Sequence, residues 1–261
     1  MKLNFTKMHG CGNDYIYINC FDTKINSPES LAVRLSNRHY SVGGDGIVLI
    51  MRSDDYNCDA RMRMFNADGS EGRMCGNAIR CVAKYLYDNN MVKKLHMKIE
   101  TLSGVKELFL TTQDSYISSV MVNMGVTKAN IIQLEDVEAT YVDVGNPHCV
   151  LFRDEIDNIA IAGENYENDS RFSEGVNTEF VRVIDRNTLE MRVWERGSGE
   201  TLACGTGACA AVTAAVLNGY CDKGEDVKVK LLGGELVINY TDETVFMTGE
   251  CTKVFDGTVE I

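Results

Sequence analysis

The same pattern of residues occurs twice in this chain of 261 residues, at a constant offset of 129 positions. Residues 62–78, MRMFNADGSEGRMCGNA, align without a gap to residues 191–207, MRVWERGSGETLACGTG. Two weaker matches lie upstream at an offset of 133. Residues 12–13 match residues 145–146, and residues 46–48 match residues 179–181. A period this long predicts a duplicated domain and not the short repeat of a solenoid.

Each half carries one long predicted helix directly after a Cys-Gly pair. After Cys75, apolar residues recur at the helical spacing i, i+3, i+4, i+7, as Ile79, Val82, Ala83 and Leu86. After Cys204 the residues are small and apolar almost all round, which indicates a buried helix. Helix-stop signals end the two segments near 89–90 and at 218–219.

Alternating apolar residues and turn signals predict short strands around these helices. They cover 13–20, 46–52, 60–66, 95–101 and 105–112, then 139–152, 178–185, 188–195, 227–232 and 235–240. The predicted fold class is α+β, with two pseudo-symmetric domains, each a β-sheet wrapped around a central helix. We place the first domain at 1–115 and the second at 116–249.

The composition limits the partners and the compartment. A net charge of −12 argues against a nucleic-acid-binding surface and against an anionic membrane as partner. The first ten residues, MKLNFTKMHG, lack the apolar core of a signal peptide, and no run of 18 apolar residues occurs. We therefore expect a cytoplasmic protein with no membrane segment. The ten cysteines are spread along a chain in which we see no secretion signal, so we expect reduced thiols. They form no C-x-x-C pair, so we expect no metal site.

Cys75 and Cys204 would stand at the N-termini of the two predicted helices. The unpaired N–H groups and the dipole of a helix start lower the pKa of a thiol there and bind an anion beside it. Two such thiols could remove a proton from one face of a carbon and deliver one to the other, which inverts a stereocentre. Three alternatives stay open: ordinary buried cysteines, a hydrolase or transferase with one essential thiol, and a non-catalytic small-molecule binder.

The motifs around these cysteines resemble those of the diaminopimelate epimerases, which are amino-acid epimerases independent of pyridoxal phosphate. They are N-A-D-G-S-E-x-x-x-C-G-N (66–77), G-N-P-H (145–148), G-V-N (175–177), E-R-G (195–197) and A-C-G-T-G (203–207). The match runs from H-G-C-G-N-D (9–14) to V-F-D-G (254–257), nearly the whole chain. Proline racemases, which are related, carry C-G-H where this chain has C-G-N (75–77), so the resemblance favours diaminopimelate as the small-molecule substrate.

The resemblance implies a site in a cleft between the two domains, with no cofactor and no metal. Cys75 and Cys204 would act as the base and acid pair, and His148 and Glu195 would tune their pKa. Backbone N–H groups would hold the α-carboxylate, from Gly76, Asn77, Gly205 and Thr206. The remaining substrate-binding residues would be Asn13, Asn66, Asn146, Asn177, Glu195 and Arg196, with Arg196 facing the far carboxylate because its planar fork pairs with a carboxylate.

Some of these roles have simpler alternatives. Asn13 and Asn66 could cap turns, Arg196 could be a solvated surface charge, and His148 could be an ordinary loop histidine. Gly46 stands where some family members place a substrate-contacting glutamine, so its contact would be lost or come from the backbone.

The resemblance also implies an assembly. Residues 250–261 would return to the first domain, and Phe255 would pack at a twofold interface of a homodimer. Alternatively, Phe255 fills the core of its own domain.

Overall fold

The computed structural model describes residues 2–114, 116–134 and 137–261. The chain divides into two compact units, one of Met1–Val122 with Gly249–Ile261 and one of Asn123–Thr248. We placed the end of the first domain at residue 115, and Ser115 lies outside the described residues.

The elements follow one another in the same order in both parts of the chain. The first ten strands and two helices are β1 (Lys2–Gly10), β2 (Asn13–Asn19), α1 (Pro28–Ser36), β3 (Gly46–Met51), β4 (Ala60–Asn66), β5 (Glu71–Gly72), α2 (Gly76–Asp88), β6 (His96–Thr101), β7 (Gly104–Gln113), β8 (Tyr116–Gly125), β9 (Lys128–Leu134) and β10 (Val137–Asp143). The rest are β11 (Pro147–Phe152), α3 (Ala160–Glu167), β12 (Asn177–Asp185), β13 (Thr188–Glu195), β14 (Gly199–Thr201), α4 (Gly205–Leu217), β15 (Asp226–Leu231), β16 (Gly234–Tyr240), β17 (Val245–Gly249) and β18 (Thr252–Glu260).

The two units have the same strand order and the same strand directions. In the first unit the order is β18-β1-β2-β3-β4-β6-β7-β8, with the pairs β2–β3 and β4–β6 parallel and the others antiparallel. In the second it is β9-β10-β11-β12-β13-β15-β16-β17, with β11–β12 and β13–β15 parallel and the others antiparallel. β5 and β14 pair with the equivalent strands β4 and β13. The predicted α+β class with two pseudo-symmetric halves is confirmed.

A buried helix forms the centre of each unit. The apolar face of α2, which carries Ile79, Val82, Ala83 and Leu86, is fully buried and packs on β1, β2 and β7. α4 is buried almost all round and packs on β9 to β13, β15 and β16. Asn89 and Asn218 end the two helices in the same way, because each side-chain amide donates to a carbonyl one turn earlier at 2.8 Å.

The segment 139–152 was predicted as one strand and is two. β10 ends at Asp143 and β11 begins at Pro147, and the two strands pair with each other as a hairpin. Because the alternation of apolar residues continues across the turn, periodicity alone does not show where one strand ends and the next begins. Gly145, at φ 98°, reverses the chain there, and its N–H donates to Asp143 Oδ1 at 2.7 Å. Helices α1 and α3, which were not predicted, are short and lack a long apolar stripe.

The pairing of the strands also corrects one of the two weaker sequence matches, that of residues 46–48 with residues 179–181. Gly46 pairs with Tyr15 in the first unit, and Asn177 pairs with His148 at the same place in the second. Gly46 is therefore equivalent to Asn177, and not to Glu179 as the offset of 133 suggests. The equivalent of Glu179 is Val48, which is completely buried.

The backbone of α3 lies directly against Trp194 of β13. Gly163 is buried in α3, and a Cβ there would lie 2.5 Å from Trp194 Cγ. The indole N–H donates to Glu167 Oε2 at 2.7 Å, which ties the C-terminal end of α3 to the same side chain. Since Trp194 precedes two predicted site residues, this contact helps to fix the end of β13.

We expect Gly163→Ala to destabilise the protein by about 1–2 kcal/mol, because overpacking outweighs the better helix propensity of alanine. Urea unfolding followed by the fluorescence of Trp194, the single tryptophan, measures this. Asn165→Ala, an exposed position of the same helix, is the matched control and should not destabilise. Equal midpoints for wild type and Gly163→Ala would show that α3 can shift away from the indole.

Candidate active site

Cys75 and Cys204 are the N-cap residues of α2 and α4. Their sulfurs accept hydrogen bonds from the backbone N–H of Ala78 at 3.5 Å and of Gly207 at 3.3 Å. Both cysteines have the extended backbone of N-cap residues, at φ −133° and −121°. The N–H groups that follow, of residues 76–77 and 205–206, have no intrahelical acceptor. Each helix start can therefore bind a carboxylate beside its sulfur.

Burial dominates the proton affinity of Cys204. Burial raises the pKa of this thiol well above its ordinary value, and the carboxylates of Glu195 and Glu179 raise it further. Hydrogen bonds from Thr206 and from the Gly207 N–H lower the pKa but do not offset burial. The helix start therefore lowers the pKa of Cys204 as expected, but burial is the larger effect and the net direction is upward.

Asn13 contacts the thiol of Cys75. The Cys75 Sγ donates to Asn13 Oδ1 at 3.4 Å, and Asp45 Oδ2 accepts from Asn13 Nδ2 at 2.8 Å. Asn77 Nδ2 donates to the same Asn13 oxygen at 3.5 Å, while Arg80 Nη2 donates to Asn77 Oδ1 at 2.9 Å. A role in a turn alone does not account for these contacts, because they turn the Asn13 carbonyl towards the sulfur.

The group that holds Asn13 was not predicted. Arg38 Nη2 donates to Asp45 Oδ1 at 2.8 Å and to Asp14 Oδ1 at 2.6 Å, and Lys7 Nζ lies 2.6 Å from Asp14 Oδ2. Burial raises the pKa of Asp14, but hydrogen bonds from Arg38 and Lys7 outweigh it and lower the pKa. These side chains come from separate segments, so no local pattern in the sequence marks them.

Asn66 and Gly46 lie opposite each other in the β3–β4 ladder. Asn66 Nδ2 donates to Ser70 Oγ at 3.0 Å, and its N–H donates to the Ser70 carbonyl at 2.9 Å. This is the turn role that the sequence left open. A Cβ at Gly46 would lie 2.1 Å from the Phe65 carbonyl oxygen, so no side chain fits there. Any contact from position 46 would have to come from the backbone.

His148 is fully buried and is not an ordinary loop histidine. Its Nδ1 lies 2.6 Å from Glu179 Oε1, and its Nε2 lies 3.1 Å from Asn146 Oδ1. Asn146 Nδ2 donates to Thr206 Oγ1 at 3.4 Å, and Thr206 Oγ1 lies 3.4 Å from Cys204 Sγ. Three predicted site residues therefore link Glu179, which was not predicted, to the sulfur.

Glu195, the last residue of β13, lies beside Cys204. Burial raises the pKa of its carboxyl group, while hydrogen bonds with Thr201 and Cys204 lower it. The Glu179 carboxylate adds to the effect of burial. The second unit thus surrounds its thiol with two acidic side chains.

Asn177 fixes the segment that carries Arg196. Asn177 Oδ1 accepts from the Arg196 N–H at 2.9 Å, and its Nδ2 donates to the Pro147 carbonyl at 3.2 Å. The guanidinium of Arg196 is exposed and donates to the Glu174 carbonyl. Its side chain crosses Gly175, where a Cβ would lie 2.9 Å from Arg196 Cδ. A guanidinium has five N–H donors, so others remain for a carboxylate.

Phe255 lies on β18, which pairs with β1 along almost its whole length. Its side chain is 45% exposed and packs edge to face on Phe5 with ring centroids 5.9 Å apart. This exposure does not fit a residue that only fills the core of its own unit.

Two further observations concern other kinds of site. Within residues 2–114, 116–134 and 137–261, no group of three or more His, Cys, Asp or Glu side chains is arranged to hold a metal ion. In the same described ranges, none of the helices combines the length and apolar character needed to cross a membrane.

Comparison with known proteins identifies the family. The family model described as diaminopimelate epimerase matches residues 5–129 and 140–254. The chain is 47% identical to the diaminopimelate epimerase of Acetivibrio thermocellus, over 99% of each chain. It is 46% identical to that of Methanococcus maripaludis strain S2, over 99% of this chain and all of the relative. It is also 46% identical to that of Brachyspira hyodysenteriae, over the full length of both.

Solved structures with much lower identity share the fold. A phenazine biosynthesis protein of the PhzF family from Bacillus anthracis superposes with a TM-score of 0.79 at 13% identity, over the whole of both chains. A hydroxyproline epimerase from Agrobacterium vitis superposes with a TM-score of 0.74 at 14% identity, over 99% of this chain and 92% of that one. The family model and the full-length relatives show that the chain belongs to the diaminopimelate epimerase family.

Proposed function

We propose that this protein interconverts LL- and meso-diaminopimelate by proton transfer at one α-carbon, with Cys75 and Cys204 as the two acid–base groups. The reaction serves lysine and peptidoglycan precursor biosynthesis. The observation that carries the proposal is the pair of N-cap cysteines, one at each equivalent buried helix, in a chain of this family. The reaction requires no cofactor in this scheme, because both proton carriers are side chains of the chain itself. Reduced thiols also favour a cytoplasmic location.

Each catalytic event moves two protons. The thiolate of one cysteine takes the α-proton, so that a C–H bond breaks and an S–H bond forms. The thiol of the other cysteine gives its proton to the opposite face of the carbon, so that an S–H bond breaks and a new C–H bond forms. The roles swap with the stereochemistry of the substrate, so each cysteine is the base in one direction of the reaction and the acid in the other.

The energy for this reaction must come mainly from positioning. Enzymes lower barriers by about 8–23 kcal/mol, whereas a helix terminus contributes at most about 2 kcal/mol. Preorganised N–H donors that face developing charge add about 3–4 kcal/mol each, and positioning of reacting groups adds about 7–11 kcal/mol. The N–H groups of residues 76–77 and 205–206 serve both purposes, since they fix the carboxylate and stabilise the charge that spreads onto it.

We expect Cys75→Ala and Cys204→Ala each to lower the rate of epimerisation by about 10²–10⁴-fold or more, because each face needs its own proton carrier. Incubation of LL-diaminopimelate in heavy water, followed by NMR of the α-proton, measures this. Wild type should place deuterium on the inverted carbon, and a chelator should not change the rate.

Cys81→Ala and Cys209→Ala are the matched controls, since these buried cysteines lie one to two turns further along the same two helices. Both should remain close to wild type. Near-normal turnover in either N-cap variant would refute the two-cysteine mechanism, and activity that a chelator abolishes and zinc restores would refute the metal-independent reaction.

We expect Arg196→Lys to raise KM for diaminopimelate by about 10- to 100-fold, because an ammonium group cannot reproduce the paired hydrogen bonds of a guanidinium. Steady-state kinetics measure this, with Arg182→Lys as the control at an exposed arginine of β12. An unchanged KM would mean that Arg196 is a surface charge and that another group binds the far carboxylate.

We also propose a homodimer that buries Phe255. We expect Phe255→Asp to give monomers in light scattering, because a carboxylate at a packed interface loses its hydration without a partner. Ile161→Asp, at an exposed apolar residue of α3, is the control and should leave the assembly unchanged. A dimer that persists in Phe255→Asp would place the interface elsewhere.

A further inference from the structure

Glu179 is a buried carboxylate that the proposed proton transfer does not use. Its side chain is 0% exposed, and Oε1 lies 2.6 Å from Nδ1 of His148, which is also 0% exposed. The second oxygen, Oε2, has no hydrogen-bond partner among the described residues. A buried carboxylate that is only partly hydrogen-bonded destabilises the folded protein, so its presence requires an explanation.

The fold itself does not require an acid at this position. The equivalent residue of the first unit is Val48, which is completely buried on the same strand of the same ladder. The equivalent of His148 is Tyr15. A sheet that accepts valine and tyrosine in one unit therefore carries glutamate and histidine in the other for a reason other than folding.

Glu179 also lies against the first turn of the catalytic helix. A Cβ at Gly207 would lie 2.6 Å from Glu179 Oε1 and 3.3 Å from Cys204 Sγ. Only glycine at this position leaves room for the carboxylate to approach α4. The positive end of the helix dipole favours a negative charge there.

A chain of hydrogen bonds connects Glu179 with the sulfur. Asn146 donates from Nδ2 to Thr206 Oγ1, so its own oxygen faces His148, and Nε2 must carry a proton to donate to it. Because Thr206 Oγ1 accepts from Asn146, its hydroxyl hydrogen is available to donate to Cys204 Sγ. This hydrogen bond lowers the pKa of Cys204, against the effect of burial.

We propose that Glu179 is a positioning residue that holds the His148 ring at Nδ1, so that Nε2–H aligns Asn146 and Thr206 to donate to Cys204. The inference rests on the proposed function, because it assigns Glu179 to the Cys204 half of that site. The ring cannot rotate while Nδ1 is held at 2.6 Å, and the amide and hydroxyl therefore keep one orientation. Other ionisable groups near the carboxylate and ring are Glu195 on β13, Cys204 before α4 and Cys149 on β11.

Two substitutions of Glu179 separate positioning from packing. Glu179→Val introduces the residue that the first unit carries at the equivalent place, so we expect the protein to fold. It leaves Nδ1 without a partner, and we expect kcat to fall by roughly 10- to 100-fold, as when a carboxylate that orients a histidine is removed. Glu179→Gln can donate to Nδ1 and keep the proton on Nε2, so it should retain more kcat than Glu179→Val. KM should stay within about twofold of wild type in both, because the proposal gives Glu179 no contact with substrate.

The control is Thr178→Val, a change at the adjacent buried residue of β12. It replaces a buried hydroxyl by a methyl group on the other face of the strand and should leave kcat unchanged.

NMR of the ring nitrogens provides a second measurement that does not depend on turnover. The chain has four histidines, so the His148 signals can be assigned with a His148→Asn variant. Wild type and Glu179→Gln should each show a single ring state that keeps the proton on Nε2, although their spectra differ at Nδ1, which faces a carboxylate in one and an amide in the other. Glu179→Val should lose the single state through exchange or mixed tautomers.

The inference is overturned if folded Glu179→Val keeps the kcat of Thr178→Val, or if wild type has no proton on Nε2. It is also overturned if Glu179→Gln and Glu179→Val lose kcat equally while His148 keeps its Nε2 proton in a single ring state in both, because Glu179 would then act by another route. If Glu179→Val does not fold, the wild-type and Glu179→Gln spectra still decide. A wild type that does not exchange the α-proton would instead refute the proposed function, and the spectra would still test the contact between Glu179 and His148.

Discussion

The hydrogen bond from a helix's first turn to a cysteine sulfur is the interaction on which this structure depends. α2 and α4 are buried, so the N–H groups at their starts cannot all be satisfied by bulk water. Sulfur is a weak acceptor, and serine or aspartate would cap these helices better. Cysteine at both caps therefore sacrifices some helix stability. In return, each helix presents a thiol and unsatisfied N–H donors at one point, which is what proton transfer next to a carboxylate requires.

The duplicated fold places these two caps in equivalent positions but surrounds them differently. In the first unit, an amide faces the sulfur: Asn13 accepts from Cys75 and is held by Asp45. In the second unit, Glu195 lies beside Cys204, and Asn146 and Thr206 connect the sulfur to His148. One repeated scaffold therefore holds the two sulfurs in different polar surroundings, and local side-chain differences alone create that contrast.

The sequence predicted the elements that follow a regular period. The strands at 60–66 and 188–195 match the structure, and both helices end where asparagine was expected to stop them. The segment 139–152 was missed as a hairpin because the conformation of Gly145, and not periodicity, makes the turn. Likewise, an alignment by offset equated Gly46 with Glu179, whereas hydrogen bonding across the sheet sets the register two residues away.

The parts of the site that could not be predicted are those that long-range contacts create. Motifs mark the cysteines, asparagines, His148 and Arg196, because those residues stand in recognisable strings. Asp45 and Glu179 stand in no such string, and their role comes from the strands that bring them next to Asn13 and His148.

The burial of a single side chain also cannot be inferred from periodicity. At Cys204, burial raises the pKa, whereas the helix start alone would lower it. The dipole of a helix start is a local property and can be read from the sequence. The desolvation of a thiol depends on everything packed around it. Where the two effects oppose each other, as they do at this helix start, desolvation is the larger of the two. The hydrogen bonds that the second unit adds at the sulfur act against this excess.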